Sequence, residues 1–269
     1  MTLNEKPNMQ QHQKPLFISH GSPMMAVENS KTSRFLQQLG QQRPTPKAIV
    51  VFSAHLDVAD DVVITAGAQP ETVHDFYRFP DELYQIHYPA PGEPVLAQQI
   101  ANTFTNAGIK VNLDPTHGWD HGVWIPLRLM YPQANIPIVQ ISINTRVGAE
   151  KNYQYGQLLA ALKHDNILIL GSGGISHNLG EIFRQPKTPN GVDMMNQFTK
   201  WVEEKLANND TQSLLNYLQL APFAKFNHPT QEHFLPLIAV LGASEASVAK
   251  KIHQDVEYEL LALDAYSFN

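Results

Sequence analysis

Apolar runs of strand length alternating with amphipathic stretches of helix length predict an α/β fold, a single domain with a central, largely parallel (mixed) sheet flanked by helices on both faces. Three observations carry this. Five short runs are almost continuously apolar rather than alternating, as strands covered on both faces are. Helical spacing recurs between them, which implies crossover connections. No internal repeat, long charge run or Gly/Ser linker divides the 269 residues.

The elements follow in order. Residues 1–14 are rich in Gln and Asn without apolar periodicity and read as a disordered tail, so the folded domain is expected over 15–269. Leu16–Ile18, Ala48–Phe52, Val62–Thr65, Ile136–Ile143 and Ile167–Leu170 are β-rich and of strand length. Pro94–Asn106, Ala149–Lys163, Val192–Asn208 and Phe234–Leu241 show helical spacing, the first stopped by Gly108. Leu260–Phe268 supplies a closing strand. Between the third strand and the first helix, Gln69–Pro94 carries five prolines and several aromatics with weak periodicity, the composition of an ordered excursion at a sheet edge.

Composition narrows the function. Hydrophobic residues make up 43 % and charged residues 16 %, the balance of a globular chain rather than a fibrous or disordered one. The net charge of −6, with no Lys/Arg cluster, argues against nucleic acid as a partner and for a small-molecule ligand. The longest apolar stretch, Phe234–Ala243, is ten residues, too short for a membrane span, and the polar start has no secretory apolar region. A cytoplasmic protein is expected. With no cysteine, disulfides, thiolate metal sites and cysteine nucleophiles are excluded together, so a metal would have to use His, Asp or Glu.

Twelve histidines stand out. His20, His55 and His177 each come at or just beyond the end of a strand-like run, each among small residues. In open α/β sheets ligands bind outside the carboxyl ends of the strands, so the three rings are placed to converge there. His228 and His233 flank Pro229–Glu232 ahead of an apolar helix, and either is positioned to join them. His117 and His121 bracket Gly118-Trp119-Asp120. His12, His164 and His253 lie among Gln, Lys and Asp and read as solvated surface residues. Competing chemistries fail on particular residues. Gly171-Ser172-Gly173-Gly174 lacks the Lys-Ser/Thr of a phosphate loop and the spacing of a dinucleotide fingerprint, and no Gly-x-Ser-x-Gly elbow is present. A histidine-ligated metal is what remains.

Phe17-Ile18-Ser19-His20-Gly21-Ser22-Pro23, Ser53-Ala54-His55, His74-Asp75-Phe76, Tyr88-Pro89-Ala90-Pro91-Gly92, Trp119-Asp120-His121-Gly122 and Ser176-His177-Asn178-Leu179 resemble, in order, the motifs of the class III extradiol ring-cleavage dioxygenases of the LigB superfamily. The branch that resembles them most is the DOPA extradiol dioxygenase type. The resemblance spans about Leu16 to Gly242. It implies that His20, His55 and His233 are metal ligands, that His177 is the catalytic acid/base and that His121 lines the catalytic site. Glu232 and His228 are neighbouring alternatives for the third ligand.

The implied activity is extradiol cleavage of a catechol ring by O2, giving a semialdehyde, with DOPA or a related catechol as substrate. Fe(II) held on one face by three side chains keeps about three positions open, enough for both catechol oxygens and O2. Three neutral imidazoles suit Zn(II) equally, so zinc is expected to be able to occupy the same site. His177, with an unperturbed pKa near ~6.5, suits the proton transfers, and His121 suits a hydrogen bond to oxygen or substrate. Tyr77 and Tyr84, with Phe79 and Tyr88, are the candidates for a flat substrate wall, and Arg78 for a contact with the substrate side chain. Two other readings use the same histidines: a zinc hydrolase, which would act with zinc but not with Fe(II) and O2, and a non-catalytic binding protein of the same fold. The sequence does not define the oligomeric state.

Overall fold

A computed structural model of the protein describes residues 12–245 and 247–269. Within these residues the strands are β1 (Leu16–Ser19), β2 (Ala48–Asp57), β3 (Val62–Thr65), β4 (Val111–Asp114), β5 (Ile138–Ile143), β6 (Ile167–Gly173), β7 (Ala249–His253), β8 (Val256–Glu257), β9 (Leu261–Ala262) and β10 (Ala265–Phe268). Eight of them form one sheet in the order β4-β3-β5-β2-β6-β1-β10-β7, and β8 and β9 form a small ribbon. The central strands β5, β2, β6 and β1 are mutually parallel. Antiparallel pairing is confined to the flanks, at β3 with β5 and through β1, β10 and β7. The predicted α/β class with a largely parallel, mixed sheet is the observed one.

The longer helices are α1 (Lys31–Gln42), α2 (Pro94–Asn106), α3 (His121–Met130), α4 (Gly148–Leu159), α5 (Gly191–Ala207) and α6 (Leu235–Ala243). Every residue of α6 is buried, consistent with an element that is apolar all round, and it packs between α4 and the sheet. Successive residues of β6 face opposite sides of the sheet. A Cβ on Gly171 or Gly173 would run into the backbone of Pro236 or His233 at the start of α6, whereas Ser172 turns to Gly122 of α3 on the other face. The Gly-Ser-Gly run thus lets two helix starts close on one strand end from both sides.

Several boundaries differ from expectation. β2 runs on to Asp57 with an irregularity after Ser53, so His55 lies within a strand rather than after one. The helix expected over Ala149–Lys163 ends at Leu159 and tightens into a 3₁₀ turn, Ala160–Asp165, closed by Asn166 in the left-handed region (φ 60°). Of the expected tail, residues 1–11 lie outside the described residues. Gln13 is buried, its amide donating to Pro44 O (3.0 Å) and Asn166 Oδ1 (2.7 Å). His253, expected at the surface, is buried at the end of the edge strand β7, where its ring stacks on Phe35 of α1 at 4.3 Å and its Nε2 lies 2.9 Å from Thr32 Oγ1. His12 and His164 are exposed.

The excursion Gln69–Pro94 is stitched to the loop before α3 by Trp119 N–H to Glu71 O and Val73 N–H to Trp119 O, both 2.8 Å, and to β5 by Ile138 N–H to Pro91 O (2.9 Å). No helix among the described residues is long and apolar enough to cross a membrane.

Candidate metal centre

His20 directly follows β1, its N–H donating to Gly173 O (3.0 Å). His55 projects from the irregular end of β2, and His233 is held just ahead of α6, its carbonyl accepting from Gly174 N–H (2.9 Å). One nitrogen from each of these three rings lies within 4.8 Å of the others. The Nε2 atoms of His20 and His55 are 3.0 Å apart.

The protons on these rings follow from the groups behind them. Ser172 donates its hydroxyl proton to Gly122 O, so its oxygen accepts from His20 Nδ1–H (3.0 Å). His55 Nδ1 faces Asp75 Oδ2 at 3.4 Å, and His233 Nδ1–H donates to Glu232 Oε1 (3.0 Å). His20 and His233 therefore carry the proton on the outer nitrogen and turn an Nε2 lone pair inward, and the Asp75 carboxylate favours the same arrangement in His55. Burial, then repulsion from His55, holds His20 well below its ordinary pKa, and burial followed by repulsion from His177 does the same for His233. Burial, then repulsion from His121, lowers His55 to about 4. All three are neutral at pH 7. His233 Nε2 is buried with no hydrogen-bond partner. Inward lone pairs repel unless a cation sits between them; two ligands ~2.1 Å from one ion at right angles stand ~3.0 Å apart. The donor set fits a divalent metal.

The serine link depends on a proline. Pro126 lies inside α3 and lacks the N–H that would bond the carbonyl four residues earlier, Gly122 O, and that freed carbonyl is the one Ser172 uses. A Cβ on Gly122 would lie 2.7 Å from Ser53 Oγ and 3.0 Å from His55 Cδ2, so a larger residue there would displace both side chains. Asp120 caps α3 through Val123 N–H (3.2 Å), accepts from Ser53 Oγ (2.8 Å) and pairs with the Gln140 amide. Helix capping thus falls to Asp120, while His121 at the first turn faces the centre, its ring 3.9 Å from His55 and 5.4 Å from His20. Asp75 Oδ2 is 3.0 Å from His121 Nδ1, and the carboxylate is held at about 2: burial opposes this and is outweighed by contacts with His121 and His55.

His177 stacks on His233 with ring centres 3.3 Å apart and planes within 7°. Burial, then the neighbouring His228, lowers it from its ordinary value to about 4, further than an unperturbed ring would suggest. His228 faces elsewhere. Its Nε2–H donates to Ile175 O (2.8 Å) and its ring packs among Phe198, Tyr217 and Phe234. Glu232 lies behind His233 as its hydrogen-bond acceptor.

Of the expected wall residues, Tyr77 is 77 % exposed and Tyr84 is half-buried, with Phe79 N–H donating to its hydroxyl oxygen (3.4 Å). Tyr88 does not face the centre: it is buried, its hydroxyl within 3.2 Å of Leu127 O and Tyr131 O. The aromatic that meets the centre is Phe76, edge-on to His121 at 5.7 Å and packed on Tyr84 and Phe79. His117 is anchored through its backbone to Asp114 Oδ1 (3.0 Å). Sequence reasoning missed Ser172, Asp75 and Glu232 as groups behind the histidines. The usable signals were Pro126 inside an apolar helix and the acid directly before His233.

Residues 14–269 match the family described as the catalytic LigB subunit of aromatic ring-opening dioxygenase. The chain is 39 % identical over 258 residues to a Beta vulgaris protein named 4,5-DOPA dioxygenase extradiol, covering 94 % of this chain and 95 % of that one. An Escherichia coli protein of the same name is 40 % identical over 233 residues, covering 85 % of this chain and 84 % of its own. A crystal structure of an uncharacterized Escherichia coli protein superposes with a TM-score of 0.79 at 33 % identity, covering 96 % of this chain and 100 % of that one. With a family match across nearly the whole chain, and a centre whose lone pairs call for a cation, the protein belongs to the LigB family of aromatic ring-opening dioxygenases.

Proposed function

We propose that the chain opens a catechol ring extradiol with O2, that DOPA or a related catechol is the substrate, and that His20, His55 and His233 hold one Fe(II), a site that Zn(II) also fits. The observation that carries this is the convergence of three imidazole lone pairs with a fourth imidazole, His177, stacked beside the third ring. A metal bound there would supply Lewis acidity toward a catechol hydroxyl and a route for electron density from the ring to oxygen.

The remaining work falls to side chains. His177, neutral in the resting site, accepts the second catechol proton on a ring nitrogen and returns it as the ring opens. His121 has Nδ1 turned to Asp75, so Nε2 is the atom it offers to substrate or oxygen: an acceptor when the ring is neutral, a donor when it is protonated. Phe76 and Tyr84 give the planar ring an apolar wall, while Tyr77 and Arg78 beside them are exposed to meet a polar substrate side chain. The names of the plant and bacterial relatives support a DOPA-type substrate. The hydrolase and binding-protein readings gain no observation of their own.

The test is anaerobic reconstitution with Fe(II) followed by oxygen uptake over a panel of catechols. The expected result is stoichiometric O2 consumption with a semialdehyde product and DOPA among the preferred substrates. Absence of uptake with every catechol would overturn the reading.

A further inference from the structure

We propose that Asp75 is a positioning residue that ties His55 to His121, setting with one carboxylate the tautomer of a metal ligand and of the histidine beside it. The proposal rests on the reading of His55 as a ligand. Oδ1 accepts the backbone N–H of His121 (2.9 Å), which anchors the carboxylate on the first turn of α3. Oδ2 then lies 3.0 Å from His121 Nδ1 and 3.4 Å from His55 Nδ1. Neither contact is an aligned hydrogen bond, so Asp75 acts on both rings through its charge. An anion there favours a proton on both Nδ1 atoms and so leaves His55 Nε2 as the lone pair that faces His20. Without it, a neutral His55 is free to place its proton on Nε2 and present an N–H where a metal needs a lone pair.

Capping does not explain Asp75, because Asp120 already caps α3. The other two inward rings have separate partners, Ser172 and Glu232; Asp75 alone of the three also faces His121. It comes from the excursion Gln69–Pro94, and the next residue, Phe76, packs on His121. Docking of this segment therefore builds the aromatic wall and orients a ligand in one event.

The test is Asp75→Asn, which keeps the shape and an oxygen for His121 N–H but replaces the charge with an amide. Zn(II) affinity, read by competition with a chromophoric chelator, is expected to fall roughly 10–100-fold with the melting temperature of the metal-free protein unchanged. Affinity within twofold of the parent protein overturns the proposal. So does loss of a second bound equivalent of Zn(II), which would make Asp75, His55 and His121 a metal site of their own. Should the variant not fold, ¹⁵N-histidine NMR of the metal-free parent protein decides: Nδ1–H on His55 and His121 supports the proposal, and Nε2–H on His55 overturns it. Neither readout requires ring cleavage, so failure here is distinct from failure of the proposed activity.

Discussion

Two clusters of buried polar side chains flank the centre of the sheet and deal with burial in opposite ways. At the antiparallel edge, Lys251 of β7 reaches Glu203 (2.6 Å) and Asp264 (3.3 Å), and Tyr266 donates to Asp264 Oδ2 (3.3 Å). Burial would lower Lys251, but the two carboxylates outweigh it and hold the ammonium above its ordinary pKa. Every charge there has a protein partner. At the ends of the parallel strands, three neutral imidazoles converge, with the Nε2 atoms of His20 and His55 3.0 Å apart and that of His233 without a hydrogen-bond partner. Their outer nitrogens all face protein groups, whereas the inner ones face only one another or, for His233, no partner. A satisfied cluster secures the fold, whereas one left unsatisfied on a single side stabilises the fold only when something outside the chain completes it.

The comparison can be broken most directly by removing a lone pair. His55→Ala or His20→Ala is expected to abolish stoichiometric metal binding, read by elemental analysis after dialysis, while the fold persists. Retained stoichiometric binding would show that the centre is not built on those rings. The next effect in size separates ligand from proton carrier. His177→Ala should keep its metal and lose turnover by roughly 10²–10⁴-fold. Loss of metal together with turnover would make His177 a ligand.

Acid should destabilise the centre. His55, His177 and His228 are each lowered to about 4, and His20 and His233 are lowered as well. A depressed folded-state pKa means that the unfolded chain binds more protons, so the stabilisation is present above ~6.5 and is lost as pH falls toward 4. The unfolding free energy of the metal-free protein, from denaturant titration, should drop as pH falls from ~6.5 toward 4, by up to roughly 1.4 kcal/mol per pH unit for each histidine that charges only on unfolding. Saturating Zn(II) should oppose the drop, because metal competes for the same nitrogens. A flat profile would mean that the rings are not held neutral by burial. The smallest effect belongs to the edge cluster. Lys251→Ala strips Asp264 of its cation and should cost about 3 kcal/mol in denaturant unfolding with metal affinity unchanged. A change in metal affinity would show that the two clusters are coupled.

The same contrast explains what could be read from the sequence. β2 and β6 are legible because the centre of a parallel sheet is covered on both faces and leaves uninterrupted apolar runs. Edge elements carry no such mark. β4 is short and half-exposed, β7 carries two consecutive lysines between buried Ala249 and His253, and α1 buries a narrow stripe of a Gln-rich helix. The histidines were legible because strand ends in this fold class converge. Asp75 and Ser172 were not, since which carboxyl or hydroxyl meets an imidazole's outer nitrogen depends on contacts such as Ser172 to Gly122, fifty positions apart in the chain.

The central claim is that the Nε2 atoms of His20, His55 and His233 share one cation, and anomalous diffraction from Zn(II)-loaded crystals tests it most directly. The expected result is a single anomalous peak with these three nitrogens at about 2.0–2.1 Å. A peak ligated instead by Glu232, by His228, or by Asp75 with His121 would contradict it.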